Sequence, residues 1–440
     1  MTLEEEVVLL RAENLWLKRQ LAQALGRIAE LEKGQHSPPP PFVKANRPKR
    51  EEPKKSRRKR AAEHNHSRRR EEPTQTVEHV LERCPECNYR LSGTSLDYSR
   101  QVIELPPPQP VEVIEHRVIK RYCPSCESWR SPKLDLKGQV IGQGRMGVVL
   151  ASLIAYLRQT LRLPIRRIQD YLKTIHQLTI SSGEIVELLH HVRRASVEVV
   201  KGLKGEVRAS AVKHGDETGW RENGRNGYIW CFATPGEQGV RYYEYDHSRG
   251  QGVVKRILGE RGYGHLVSDF YAGYNDYAGK QQRCWVHLLR DLHEVKEAHP
   301  QEGEVVEWAK AVRQLHDEGQ EWLEKGTDPP DWGASGNPPE EQREMKYVSL
   351  MEEAHQLGLR YAQRKGHPCQ ALAKRIVRHE DELFQFVVVP GLSADNNLVE
   401  RSIRPMVVVR KISGGTRSTE GTKTRMALAN LPQIKPYSAT

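Results

Sequence analysis

The sequence predicts a multidomain α+β protein, and three observations lead there. Its 440 residues exceed what one ordinary core organises. A hydrophobic share of 37% beside a charged share of 29% means that part of the chain is not packed. From Val207 onward, short β-rich runs give way to a long helical stretch, the pattern of an α/β or α+β domain with a helical insertion.

Residues 1–34 open with a heptad seam. Leu3, Val7, Leu10, Asn14, Leu17, Leu21, Ala24, Ile28 and Leu31 alternate four and three residues apart. Val7, Asn14, Leu21 and Ile28 occupy a, and d is mostly Leu, which favours a parallel two-stranded coiled coil with Asn14 setting the register. A homodimer through this helix is expected. Residues 35–78 form a basic linker rich in Pro and nearly without apolar side chains, so it cannot bury enough surface to fold. Between Lys44 and Arg70 it carries 13 Lys/Arg against 3 Glu, most of the formal +12 of the chain. Charge so concentrated points to a polyanion, most simply nucleic acid.

Residues 79–132 contain CPEC (Cys84, Cys87) and, after 35 residues, CPSC (Cys123, Cys126). Two such knuckles can present four thiolates to one structural zinc. QVIEL and VEVIEHRVIKRY, flanking PPPQP, read as two strands of a ribbon that would join the knuckles. Four of the seven cysteines are thus in metal-type spacing, which suits a reducing compartment better than a disulfide scaffold. Residues 137–205 read as helical, with a turn at LTISSGE and a new helix starting near Ser181 or Ser182. A helix-turn-helix for DNA and plain helical packing both fit, and periodicity does not choose between them.

The strand runs AVKHGDETGW, GYIWCFATP, VRYYEYD and GHLVSDFYAGY place the first part of a catalytic domain at 207–290. A helical insertion follows at 291–390, broken by TDPPDWGASGNPPEEQ. Residues 391–427 hold a last helix and a basic segment. No run of 18 apolar residues occurs and the start MTLEEEVVLLRAEN is acidic, unlike a signal peptide, so a cytoplasmic protein without a membrane partner is expected.

Asp216 and Asp269 lie at or near the apolar ends of two strands, where a carboxylate is costly unless paired or bound to a cation. With Glu400 from ADNNLVERSIRP as a third ligand, they would suit hard divalent ions, magnesium or manganese. Two ions roughly 3.5 to 4 Å apart can activate one oxygen and stabilise the leaving one in phosphodiester transfer. Arg401, Arg404, Arg410 and Lys411 would then hold DNA phosphates. Glu217, Asp276 and Asp395 are rival ligands that spacing leaves open. Trp220 and Trp285 flank the acidic motifs, either to stack on bases or as core.

HGDETGW, SDFYAGY followed by CWVHLLRDL, and NNLVERSIRP resemble the transposases of the insertion sequence 66 family, from about residue 80 to about 427. The zinc ribbon and the zipper-like start are similar to that family's as well. The resemblance implies a DDE transposase with an RNase H-like catalytic domain and the triad Asp216, Asp269 and Glu400. It would cut DNA at transposon terminal inverted repeats and join the strands to target DNA. Cys284 and His287 match the family's CxxH pattern, with packing as the plainer reading. Gly219 stands where the family often has Pro after Asp-Glu-Thr. Residues 428–440, which end in LPQIKPYSAT, read as a divergent tail, so the alternative is a catalytically inactive, truncated transposase that occupies DNA as a dimer.

Overall fold

A computed structural model describes residues 72–105, 107–141, 144–325 and 338–431. The coiled-coil seam, most of the basic linker and residues 432–440 lie outside them. The chain divides into two compact units, residues 1–105 and 106–440.

In the first unit the CPEC segment folds into a tight knuckle. Cys84 N–H donates to Tyr89 O at 2.9 Å, and Asn88 N–H returns to Cys84 O at 2.9 Å. Asn88 takes the left-handed φ of 59° that closes the turn, a conformation Asn tolerates well.

The second unit begins with the other knuckle. β1 (Arg121–Cys123) and β2 (Ser128–Arg130) pair antiparallel around CPSC, Cys123 opposite Ser128. The strands expected at QVIEL and through VEVIEHRVIKRY do not form, apart from the final Arg121 and Tyr122 in β1. Val102, Ile103, Val113 and Ile114 remain exposed. Alternation marks a strand only where a sheet face exists to receive the apolar side chains, and none covers them.

Four helices follow: α1 (Val148–Gln159), α2 (Ile165–His176), α3 (Ser182–Ala195) and α4 (Val197–Ala209). Ser181 caps α3, its hydroxyl accepting the Glu184 N–H at 3.1 Å, the arrangement Ser-x-x-Glu encodes. Ile154, Ala155, Ile168, Leu172, Ile185 and Leu189 give α1 to α3 a common core.

A five-stranded sheet comes next, in the order β5-β4-β3-β6-β7. Its strands are β3 (Val212–Glu222), β4 (Arg225–Ala233), β5 (Arg241–Asp246), β6 (His265–Ser268) and β7 (Lys280–Arg283). β3, β4 and β5 run antiparallel as a meander; β6 and β7 lie parallel to β3. Asn223 and Gly224, at φ 50° and 76°, make the two-residue turn between Glu222 and Arg225. Asn-Gly is the pair that adopts positive φ twice at low cost. α5 (Gln251–Leu258) carries the chain from β5 to β6.

Alternate residues leave the sheet on opposite faces. Trp230, Phe232 and Leu266 pack with Val253, Val254 and Ile257 of α5. Trp220, Ile229, Cys231 and Ala233 pack with Val399, Ile403, Met406 and Val409 of α12 (Asn397–Ser413). Between β7 and α12 come α6 (Trp285–Ala298), α7 (Gly303–Lys325), α8 (Glu340–Ala362) and α9 (Gln370–Arg378). The short α10 (Glu380–Leu383) and α11 (Gln385–Val388) complete this helical part. Its core, with Trp285, Trp308, Leu350 and Phe384, is continuous with Val212 and Val267 of the sheet.

α13 (Thr419–Asn430) closes the described chain. Residues 428–430 of the expected tail thus belong to this helix. Leu428 joins the core of α1 to α3, and buried Asn430 accepts Tyr243 N–H at 2.7 Å and donates to Tyr243 O at 2.8 Å. Among the described residues no helix is long and apolar enough to cross a membrane.

Candidate active site

β3 and β6 run in parallel register, His214 beside Val267. Two residues further along, the same register sets Asp216 beside Asp269, the residue directly after β6. Adjacent strands are about 4.8 Å apart, so the two carboxylates share one end of the sheet. Glu400 reaches the same place from the first turn of α12, which packs on this face of β3 and β4.

The electrostatics follow from that convergence. Burial, then the negative charges of Glu217, Asp269 and Glu400, push the Asp216 carboxyl up to about 8, against one favourable backbone N–H from Glu217. The three acids stand in each other's field, and Glu400 Oε1 is buried without a hydrogen-bond partner. The donor set is therefore one that fits hard divalent ions.

A pH dependence follows. The folded carboxyl of Asp216 keeps a proton that the unfolded chain loses, so its contribution to stability falls as pH rises from about 4 to about 8. Without divalent metal at pH 8, Asp216→Asn should raise the melting temperature by at least about 3 °C. At pH 4 it should change little. Thermal unfolding in chelator at the two pH values checks both.

The rival acids have other employment. Glu217 leaves β3 on the opposite face, where Oε1 accepts from Arg249 at 2.6 Å and Oε2 from the Tyr274 hydroxyl at 2.5 Å. Asp276 is exposed on the loop after β6. Asp395 Oδ1 accepts the Asn397 N–H at 2.9 Å and so helps start α12.

Asn396 was not singled out from sequence, and it fixes where Glu400 stands. It is 1% exposed, and its Nδ2 donates to Gly215 O at 2.8 Å. Its Oδ1 lies 3.2 Å from His214 Nδ1, and its N–H points at Cys284 Sγ at 3.2 Å. Burial pushes His214 down to about 4, so the ring is neutral near pH 7. Because the Asn396 oxygen only accepts, Nδ1 carries the proton. Asn396→Ala would strand two buried polar groups and should cost about 1–3 kcal/mol, read as a lower urea midpoint at unchanged slope. Nothing local in the sequence reveals partners 181 and 182 residues away.

Arg283, also missed, is fully buried. It donates to Asp269 O at 2.9 Å, Ser268 Oγ at 3.2 Å and Asn275 Oδ1 at 2.8 Å, and pairs with Glu382 at 2.5 Å. It thereby holds the backbone that presents Asp269.

The predicted cations divide. Arg401, Arg404 and Lys411 are exposed on α12. Arg410 turns inward, donating to Thr218 Oγ1 at 3.0 Å and to Gly219 O; it braces β3, which explains how a helix-borne Arg beside Gly219 is accommodated. Trp220 and Trp285 are core residues, 2% and 0% exposed, and their indole N–H groups donate to Thr416 Oγ1 and Leu383 O. Base stacking by either is thus excluded in this fold.

Each zinc-type knuckle aims backbone N–H groups at its first sulfur. Those of Cys87 and then Glu86 hold the Cys84 thiol below its ordinary value, and that of Cys126 leads for Cys123. A thiol so placed is readily deprotonated, the form zinc takes.

Comparison with known proteins agrees with this layout. A family model described as zinc-finger binding domain of transposase IS66 matches residues 82–127, which supports zinc as a cofactor of the Cys84–Cys126 region. No curated protein matched the chain. The model described as Transposase IS66 family matches residues 143–424, more than half of the sequence and the whole of the sheet with its acidic cluster. The chain belongs to the Transposase IS66 family.

Proposed function

We propose that the protein is a DDE transposase that cleaves DNA at transposon ends and transfers the strands into target DNA. The observation that carries the reading is the meeting of Asp216, Asp269 and Glu400 in one field at the end of the sheet. The strand order, a three-stranded meander continued by two parallel strands, supports an RNase H-like catalytic domain. Magnesium or manganese held there would activate the attacking water or 3′ hydroxyl and stabilise the leaving oxygen.

The chain's own groups do the rest. Asp216 would offer oxygens from β3, Asp269 from the residue directly after β6, and Glu400 from a helix tied to β3 through Asn396. Arg401, Arg404 and Lys411 lie on the solvent side of the same helix, placed to hold phosphates of the strand being cut. The zinc ribbon, the helical region at 137–205 and the basic linker would hold the terminal inverted repeats. The coiled coil at 1–34 would bring two copies, and so two DNA ends, together. A protein acting on chromosomal DNA would work in the cytoplasm at the nucleoid.

The test is a labelled duplex carrying the element's own end, incubated with the full chain and magnesium or manganese, with binding measured separately. Metal-dependent nicking at the end, followed by joining to a target duplex, is the expected result. Binding without nicking under either metal would overturn the catalytic reading in favour of a DNA-occupying protein.

A further inference from the structure

Cys284, His287 and Glu400 form a group that the acidic centre does not account for. Cys284 ends the loop after β7 and His287 lies in the first turn of α6, so the CxxH spacing puts both at one helix start. Glu400 arrives from α12, brought there by the Asn396 N–H on Cys284 Sγ. The ligand atoms of the three all lie within 4.8 Å of one another, and this is the sole such His, Cys, Asp or Glu group among the described residues.

Two of the three atoms have no hydrogen-bond partner. Glu400 Oε1 and His287 Nδ1 are both buried and unbonded, and they face each other at 3.9 Å. That is too long for a hydrogen bond. Two donors on one tetrahedral zinc, each about 2.0–2.2 Å from it, stand about 3.4 Å apart. The pair is thus within about half an ångström of the spacing of two ligands of a shared ion.

We propose that Cys284, His287 and Glu400 bind a divalent transition-metal ion of the zinc class, at a site separate from the ribbon and beside the acidic centre. Sulfur, imidazole nitrogen and carboxylate oxygen together suit zinc or cobalt; a thiol makes no useful ligand for magnesium. Three protein ligands leave a fourth position open, the pattern of zinc sites that accept an outside ligand. Glu400 belongs to both sites, so the placement of this ion beside the reaction centre rests on the function proposed above, whereas its binding does not.

Cobalt(II) is the probe. The full chain, stripped with chelator, is titrated with cobalt chloride, then desalted and analysed for cobalt and for thiolate-to-cobalt absorption. Intact protein should retain two ions per chain, one in the ribbon. Cys284→Ala and His287→Gln should each retain one, and excess magnesium should displace neither ion. The His287 ring is part-exposed, so His287→Gln keeps the test standing if Cys284→Ala fails to fold. One ion per chain in the intact protein, or equal cobalt in intact protein and His287→Gln, would overturn the proposal. A chain that cuts DNA yet holds one ion sinks this inference alone; one that holds two ions yet never cuts sinks only the transposase reading.

Discussion

Asp269→Asn should reduce metal-dependent cleavage by about a thousandfold or more while DNA binding persists. The amide is isosteric, and its oxygen can still accept the Tyr271 N–H that Oδ1 accepts at 2.9 Å, so the loop keeps its shape. What is lost is one negative charge from a cluster in which burial, and after it mutual repulsion, pushes Asp216 up to about 8. A neutral ligand gives up much of the attraction for a divalent ion, and a thousandfold loss corresponds to about 4 kcal/mol of transition-state stabilisation. Nicking rates at fixed magnesium, beside gel-shift affinity for the same duplex, check it. A variant within about tenfold of the intact rate would remove Asp269 from the ligand set and move attention to Glu217, the remaining buried acid nearby.

Arg283→Met should be the most destabilising single change at the site. The guanidinium is wholly enclosed, and its partners are the Asp269 carbonyl, Ser268, Asn275 and Glu382. Removing one member of a buried ion pair leaves the other uncompensated, which costs about 3–5 kcal/mol. For a unit of this size that is roughly a 4–7 °C fall in melting temperature. Adding Glu382→Leu should recover part of the loss, because the stranded charge goes with it. Thermal unfolding of the single and double variants decides; a single variant that melts within about 2 °C of the intact chain would show that Arg283 does not hold this loop.

Local chemistry made several features readable from the chain alone. The Asn-Gly turn between β3 and β4, the Ser181 cap and the two CxxC knuckles each rest on a few adjacent residues. Asp216 and Asp269 stood out because carboxylates at or near the apolar ends of strands call for a cation, with Glu400 read as a third ligand on a helix. Strand pairing was less readable: the alternating segment near PPPQP stays unpaired, since alternation says nothing about whether a partner face exists.

Sequence by itself thus determined β3 to β6 of the sheet and the helix start at Ser181, and singled out three acids by motif. Tertiary structure decided what those residues face. The parity of β3 sends Asp216 toward α12 and Glu217 toward Arg249 and Tyr274. The docking of α12 on the sheet turns Arg410 inward and brings Asn396 onto His214 and Gly215. The same docking sets Glu400 against Cys284 and His287, more than a hundred residues earlier in the chain. Local propensity fixes backbone shape over a few residues. Which side chains meet across such distances depends on how a helix seats on a sheet, a choice made by the packing of Val399, Ile403, Met406 and Val409.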